Sequence, residues 1–314
     1  MLAILAPGQG AQTPGFMQPW FDHFAAHGAA ELSDSMTAQW SQVAGVDLRH
    51  LGCTADADEI RDTANAQPLL LFGALTGAGA LFAGDASSIS LVAGHSVGEI
   101  AAVALAQVID ADQAFTLVSA RGREMAKAAD GSGTGMSAVL GGDREVVVAH
   151  LASLGLTPAN ENGGGQIVAA GSMAALAALA ENPPEGARVR PLQVSGAFHT
   201  SVMQPAVEAV RNVASGLTLK DPTLQILSNK DGALVTDKDE IMNRIVGQIA
   251  GPVRWDLCMQ TMADMGITGV IELPPAGTLC GLIKRAQPTI ETFALKAPTD
   301  LAAAHEFIAK HGGK

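Results

Sequence analysis

Residues Gly94-His95-Ser96-Val97-Gly98 form the segment of this chain that is best suited to chemistry. They follow a short apolar run at 90–93 and precede a helical stretch at 99–106. A Gly-x-Ser-x-Gly between a strand and a helix is typical of a nucleophile elbow, a tight turn that projects the serine hydroxyl. The helix behind it offers free backbone N–H groups to a developing negative charge. The pattern therefore predicts that Ser96 attacks an acyl group, and an ordinary glycine-rich turn is the alternative.

A serine nucleophile needs a base, and the chain has eight histidines. His95 adjoins the serine, so its side chain must point elsewhere, and we interpret it as structural. His199 follows the last predicted strand of a small inserted unit, at a rim between two lobes where sites tend to form. This position makes His199 the candidate base, and a histidine that caps or packs the following helix is the alternative.

Two further segments could serve an acyl-transfer site. Gly8-Gln9-Gly10 follows the first predicted strand, where a glycine-rich turn can bring a backbone N–H close to a ligand. Arg121 lies in the middle of a mostly apolar predicted helix. If Arg121 faces a pocket, its planar guanidinium suits a substrate carboxylate. The alternative for Gly8-Gln9-Gly10 is a simple turn. The alternative for Arg121 is a surface arginine whose aliphatic stem is partly buried.

The elements that must position these residues alternate between strands and helices. The pattern predicts strands at 2–6, 90–93, 225–228 and 269–273, of which the last is the final core strand. It predicts helices at 66–82, 99–108, 112–130, 200–213, 238–250 and 255–265. Residues 311–314 are expected to be frayed.

A glycine run at 131–135 marks a change in the pattern. Beyond it, strands are predicted at 136–140, 156–161, 166–170 and 189–194, with helices at 143–154 and 173–180. This βαββαβ order is the ferredoxin-like pattern. We therefore predict an α/β fold with an α/β-hydrolase-like core that contains a parallel sheet and an inserted ferredoxin-like subdomain. The predicted division is 1–131 with 197–314 for the large subdomain and 132–196 for the small one.

Bulk properties exclude several function classes. The chain has 314 residues and a formal net charge of -12, which argues against nonspecific nucleic-acid binding. Its three cysteines are far apart and have no metal-binding spacing, so we expect no metal and a reducing compartment. The apolar first residues lack the basic segment of a signal peptide, and no apolar run is long enough to span a bilayer.

Taken together, these motifs resemble the malonyl-CoA:acyl carrier protein transacylases of type II fatty acid and polyketide synthesis, and the acyltransferase domains of modular synthases. The resemblance extends from residue 8 to about residue 285. The matching segments are Gly8-Gln9-Gly10-Ala11-Gln12, Gly94-His95-Ser96-Val97-Gly98-Glu99, Arg121-Gly122-x-x-Met125, Asn160-x-Asn162, Ala197-Phe198-His199-Thr200 and Gln248-x-x-x-Pro252-Val253-Arg254-Trp255.

The resemblance implies a role for each matching residue. Ser96 corresponds to the family nucleophile and His199 to its general base, which backbone carbonyls near Gln248 orient in place of a carboxylate. The backbone N–H groups of Gln9 and Val97 correspond to the oxyanion hole. The remaining matches are substrate-binding positions: Arg121 for the malonyl carboxylate, Asn160 and Gln248 in the pocket, and Phe198 beside the acyl group.

The implied reaction moves a malonyl group from malonyl-CoA to the phosphopantetheine thiol of acyl carrier protein through a malonyl-serine intermediate. Malonyl-CoA and acyl carrier protein are then the partners, with no permanently bound cofactor, in the cytoplasm. Because no long apolar surface pattern stands out in the sequence, we expect a monomer. Domains with phenylalanine at the Phe198 position resemble the malonyl-selective class, because a phenyl ring fills the space that an α-methyl branch needs. Plain core packing of Phe198 is the alternative.

Two features depart from this expectation. The family's glycine-rich turn after the final strand is replaced by Glu272-Leu273-Pro274-Pro275-Ala276-Gly277, so we assign no ligand role there. Acyl carrier proteins are acidic, and this chain is acidic too, so docking needs a local basic patch. The candidates are Arg188, Arg190, Lys284 and Arg285, and scattered solvated charges are the alternative.

Three other functions compete with this one. A serine thioesterase or other hydrolase fits the elbow but expects its histidine late in the chain. A catalytically silent assembly module conflicts with the joint presence of Gln9, Ser96, Arg121 and His199. The transacylase subunit of a malonate decarboxylase shares these motifs.

Overall fold

The computed structural model describes residues 1–194 and 196–312. Its strands are β1 (Leu2–Ala6), β2 (Leu91–Gly94), β3 (Thr134–Gly141), β4 (Thr157–Gly163), β5 (Gln166–Ser172), β6 (Ala187–Pro191), β7 (Gln225–Leu227), β8 (Leu234–Val235), β9 (Val253–Arg254), β10 (Gly269–Glu272) and β11 (Glu291–Ala294). Its α-helices are α1 (Gln18–Ala26), α2 (Ala30–Ala44), α3 (Leu48–Cys53), α4 (Thr63–Phe82), α5 (Gly98–Leu105), α6 (Ala111–Ala129), α7 (Arg144–Ser153), α8 (Met173–Glu181), α9 (Gln204–Ala214), α10 (Lys238–Gly247), α11 (Trp255–Asp264), α12 (Thr278–Ala286) and α13 (Leu301–His311). Short 3₁₀ turns lie at Glu59–Arg61, Ser201–Met203, Gln248–Ala250 and Pro298–Asp300.

The larger sheet has the order β11-β10-β1-β2-β7-β8 and is parallel except for the β7–β8 pair. Strand β1 is apolar and buried at every position, because helices cover both faces of a parallel sheet. Leu2 and Ile4 pack into the core on one face, and Ala3 and Leu5 into the core on the other. The parallel sheet that the sequence predicts is therefore confirmed.

The smaller sheet has the order β6-β3-β5-β4-β9. Its first four strands are antiparallel, and β9 pairs in parallel with β4. Residues 134–191 follow the predicted βαββαβ order, and α7 and α8 contribute to a core of their own. Strand β9 comes from Val253–Arg254, outside the predicted insert, so the two parts of the chain share this sheet.

The end of the chain departs from the prediction in two places. Strand β10 is fully buried, as predicted for the final core strand, but β11, which pairs in parallel beside it, was not predicted. Strand β11 is a partly exposed edge strand and lacks the continuous apolar run on which the prediction relied. His311 is not frayed, because it is buried, with its Nδ1 3.0 Å from the hydroxyl of Thr268. The rest of the tail that was expected to fray includes Gly313 and Lys314, which lie outside the described residues.

Candidate active site

The serine lies at a sharp turn between β2 and α5, as the Gly-x-Ser-x-Gly pattern predicts. Its φ of 53° lies in the left-handed region, which is strained for a residue with a side chain. Both flanking glycines are required by space. A Cβ on Gly94 would lie 1.9 Å from the carbonyl carbon of Gly98, and a Cβ on Gly98 would lie 2.2 Å from the carbonyl oxygen of Ala6. This turn therefore depends on glycine, which has no side chain, at the positions where the strand, the turn and the helix meet.

Ser96 and His199 are in direct contact. Ser96 Oγ lies 2.8 Å from His199 Nε2, and His199 Nδ1 lies 2.7 Å from the backbone oxygen of Gln248. A carbonyl oxygen only accepts, so Nδ1 carries the proton and Nε2 is free to accept the serine proton. Burial, followed by the charge of Arg121, lowers the pKa of His199 to about 3. The imidazole is consequently neutral near pH 7, as a general base must be.

Arg121 lies beside Ser96 and is almost fully buried, with an exposure of 1%. Its Nη1 donates to Gln67 Oε1 at 2.7 Å, and its Nη2 donates to Gln248 Oε1 at 2.9 Å and to Ser96 Oγ at 3.2 Å. Burial lowers the pKa of Arg121 to about 10, against the opposing effect of Glu99, so the group keeps its charge at neutral pH. A buried cation held by neutral oxygens beside Ser96 is suited to an anionic substrate group.

The two residues predicted to form the oxyanion hole, Gln9 and Val97, both line the cavity beside Ser96. The cavity has a volume of about 280 Å³. Within residues 1–194 and 196–312, neither backbone N–H has a hydrogen-bond partner. The loop of Gln9 packs tightly on the elbow, because a Cβ on Gly8 would lie 2.8 Å from His95 Nδ1. These amides are therefore available to a ligand oxygen beside Ser96.

The remaining predicted residues surround this cavity in different ways. Asn160 from β4 and the buried ring of Phe198 line it. Gln248 does not line it, but contacts Arg121 through its side chain and His199 through its backbone. His95 Nε2 donates to Asn162 Oδ1 at 2.9 Å, in agreement with a structural role. The cavity lies between the two sheets, at the rim between the two lobes where the sequence analysis expected His199.

Sequence reasoning assigned no role to three buried residues of the site: Gln67, which lines the cavity, and Glu99 and Asn229, which do not. Gln67 holds Arg121 from helix α4, and Asn229 accepts a hydrogen bond from the Ser96 N–H at 2.8 Å. Burial raises the pKa of Glu99 to about 8, against the opposing effects of the Asn229 N–H and Arg121. A signal existed for Asn229, since it follows β7, the neighbour of β2, and polar residues at the ends of adjacent parallel strands converge.

Other candidate groups lie elsewhere. His305 Nε2 is 2.9 Å from the backbone oxygen of Leu81, away from the cavity. The basic residues divide between edge strand β6, with Arg188 and Arg190, and helix α12, with Lys284 and Arg285. Across the described part of the chain, no group of three or more His, Cys, Asp or Glu residues is arranged to hold a metal ion. No helix in that part is both long and apolar enough to cross a membrane.

Comparison with known proteins gives consistent matches. The family model described as an acyl transferase domain matches residues 5–296. The malonyl CoA-acyl carrier protein transacylase of Mycobacterium bovis is 49% identical over 303 residues, which cover 96% of this chain and 98% of that protein. The crystal structure of MCAT from Mycobacterium tuberculosis has a TM-score of 0.89 and 47% identity, and covers 96% of this chain and 99% of that one. A malonyl-transacylase in complex with the acyl-carrier protein of a type II PKS has a TM-score of 0.89 and 29% identity, with 98% and 99% covered.

Proposed function

The chain belongs to the acyl transferase domain family, and we propose that it transfers a malonyl group from malonyl-CoA to the phosphopantetheine thiol of acyl carrier protein. The observation that carries the substrate assignment is the buried guanidinium of Arg121, 3.2 Å from the Ser96 hydroxyl. The relatives named as malonyl CoA-acyl carrier protein transacylases support the same reaction.

In the first half-reaction, Ser96 Oγ attacks the thioester carbon of malonyl-CoA while His199 Nε2 takes the serine proton. The carbonyl oxygen becomes an oxyanion, which the N–H groups of Gln9 and Val97 stabilise. The C–S bond then breaks, and the CoA sulfur leaves with the proton held by His199. Malonyl-Ser96 remains.

In the second half-reaction, the phosphopantetheine thiol gives its proton to His199 and attacks the ester carbonyl. A second oxyanion forms on the same two amides and collapses to the malonyl thioester, and His199 returns its proton to Ser96. No carboxylate is needed to orient the base, because the backbone oxygen of Gln248 holds His199 Nδ1 at 2.7 Å. This is a ping-pong reaction without a permanently bound cofactor.

Arg121 supplies selectivity for a carboxylated acyl group. Its Nη2 already lies within hydrogen-bond distance of Ser96 Oγ, so the far end of a short acyl chain on Ser96 can reach the guanidinium. An acetyl group would leave this buried cation without an anionic partner. Such an unpaired group costs more than lost contact area, and the site therefore discriminates against acetyl-CoA.

Phe198 and Asn160 complete the proposed pocket. The phenyl ring is 6% exposed and lines the cavity, so it borders the space that an α-methyl branch of the acyl group would enter. We assign Phe198 the exclusion of methylmalonyl groups and Asn160 a polar contact with substrate. Gln248 supports binding through Arg121, whose Nη2 it accepts at 2.9 Å.

The finer fold assignment is also a proposal. We assign residues 1–131 and 197–314 to an α/β-hydrolase-like large subdomain and residues 132–196 to a ferredoxin-like small one. The strand order β6-β3-β5-β4 and the antiparallel pairing within it support the second assignment, since they place the first and third strands of the βαββαβ unit at its centre. The nucleophile elbow after β2 supports the first.

We assign acyl carrier protein docking to four exposed basic residues, which we call the docking patch: Arg188, Arg190, Lys284 and Arg285. The net charge of -12 makes a local basic surface necessary for an acidic partner. The relative solved with a type II acyl-carrier protein supports a carrier-protein partner. We further propose that the protein is a cytoplasmic monomer.

The experiment that tests this function follows the products of malonyl-CoA with and without holo-acyl carrier protein. We expect malonyl transfer to the carrier and little free malonate when the carrier is omitted. Fast release of malonate without an acceptor would support a serine hydrolase instead. Ser96→Ala is the matched control and should abolish either reaction.

A further inference from the structure

We propose that Asn229 and Glu99 form a positioning pair that holds the Ser96 turn in its reactive shape and fixes the side-chain amide of Gln248 toward Arg121. Neither residue lines the substrate cavity, so both act through other residues. The proposal rests on the proposed function, because its readouts are the rate and selectivity of malonyl transfer to Ser96.

The side chain of Asn229 bridges the strained turn. Its Oδ1 accepts the Ser96 N–H at 2.8 Å, and its Nδ2 donates to the backbone oxygen of Gly94 at 2.8 Å. Asn229 is completely buried and comes from the segment after β7, the strand next to β2. A left-handed serine persists only when its surroundings hold it there, and these two bonds join both sides of the turn to one rigid amide.

The carboxyl group of Glu99 connects Asn229, which bridges the turn, to the rest of the site. Oε1 accepts the backbone N–H of Asn229 at 2.6 Å, and Oε2 accepts a hydrogen bond from Gln248 Nε2. Glu99 lies in the first turn of α5, three residues after Ser96, and is 4% exposed. One buried carboxyl therefore connects the helix behind the nucleophile, the residue that bridges the turn, and the residue that supports Arg121.

These contacts leave Gln248 a single favourable orientation. Its Nε2 faces three acceptors, which are Glu99 Oε2, Asn229 Oδ1 at 3.2 Å and the Ser96 backbone oxygen at 3.3 Å. Its Oε1 then faces Arg121 Nη2 at 2.9 Å. A reversed amide would direct N–H groups at the guanidinium, where both sides are donors. The pair therefore fixes the position of the nucleophile directly and that of the carboxylate-binding group through Gln248.

The first test is Asn229→Asp, which keeps the size of the side chain but sets an oxygen against the Gly94 carbonyl. Cys258→Ala is the matched control, because Cys258 is completely buried and its Sγ lies 3.7 Å from Asn229 Nδ2 without contacting the turn. Rapid quench and intact mass give the rate of Ser96 malonylation at saturating malonyl-CoA. We expect a fall of about 100-fold for Asn229→Asp, with KM within about threefold, and a rate within about twofold of wild type for Cys258→Ala.

The second test is Glu99→Gln at pH 9, above the pKa of about 8 of Glu99. At this pH the wild-type carboxylate accepts from Gln248 Nε2, whereas the variant sets an amide N–H against it and favours reversal of Gln248. We expect KM for malonyl-CoA to rise about tenfold and the preference for malonyl-CoA over acetyl-CoA to fall by a similar factor, because the loss acts through Arg121. Acetyl transfer to Ser96 should change by less than about threefold. A residue that only supports the fold would alter both substrates alike.

The outcomes separate this inference from the proposed function. Malonylation of Asn229→Asp at the Cys258→Ala rate, or an unchanged substrate preference in Glu99→Gln, overturns the inference. If Asn229→Asp is recovered unfolded, Asn229→Ser removes the same bridge without adding a charge and carries the same expectation. Absence of malonyl-serine in wild type and Cys258→Ala contradicts the proposed function instead.

Discussion

The rate of serine malonylation should depend weakly on pH between pH 8 and pH 5, because His199 stays neutral throughout this range. Burial and the Arg121 charge lower the pKa of His199 to about 3, and its Nδ1 proton is held by the Gln248 backbone oxygen. A base is active in its neutral form. Lowering its pKa therefore moves the acid limb of the profile to lower pH.

The expected magnitude follows from the fraction of neutral imidazole. With an ordinary histidine pKa near 6.5, only about 3% of the base would be neutral at pH 5, and the rate would fall roughly 30-fold from pH 8. With a pKa of about 3, about 99% of His199 remains neutral at pH 5. We therefore expect the ionisation of His199 to change the rate by less than about twofold across this range, apart from a step near pH 8 where Glu99 ionises.

The assay is kcat/KM for malonyl-CoA, because this parameter reports the ionisation of the free enzyme. Arg121→Gln provides the matched variant. The substitution removes the cation that helps to lower the pKa of His199, so the acid limb of the variant's pH profile should move to higher pH. We also expect kcat/KM to fall by about 100-fold or more, because the malonyl carboxylate loses its partner. A 30-fold fall for wild type with a midpoint near pH 6.5 would refute the reasoning about the buried base.

Three further predictions follow from the site and its supports. Phe198→Ser should raise methylmalonyl transfer relative to malonyl transfer, measured by competition between the two CoA esters, and unchanged relative rates would contradict the steric role. Gly94→Ala should lower the free energy of unfolding by about 3 kcal/mol or more in urea titration, because the new Cβ would lie 1.9 Å from the Gly98 carbonyl carbon. Its control, Gly79→Ala, has no atom within 4 Å of the new Cβ and should leave stability equal or higher. Charge reversal of the docking patch should raise KM for acyl carrier protein and leave malonyl-CoA hydrolysis unchanged, and an unaltered KM would dismiss the patch.

Much of the fold is predictable because the residue pattern of a segment reflects where that segment lies in the folded chain. The continuous apolar run of β1 predicts a central parallel strand, and the glycine spacing around Ser96 predicts the turn. Strand β11 escaped prediction because an edge strand buries only part of each side chain and carries mixed residues. The two-residue strand β9 is set by its pairing with β4 rather than by its own sequence.

The residues of the site also differ in how far the sequence alone predicts them. Ser96 is recognisable from its neighbours alone, whereas His199 and Arg121 gained their assignments from resemblance and position. The roles of Asn229 and Glu99 were not assigned, although Glu99 belongs to a matching motif, because their hydrogen bonds join residues about 130 positions apart in the chain, which no local pattern encodes. Burial of Arg121 was likewise a tertiary property, since an arginine in a helix is more often exposed.

The most direct test of the central claim is the intact mass of the protein after brief incubation with malonyl-CoA without carrier protein. We predict an adduct of one malonyl group, located at Ser96 by peptide mapping, and its loss when holo-acyl carrier protein is added. Ser96→Ala should form no adduct. Wild-type protein without an adduct, or with the malonyl group on another residue, would contradict the account.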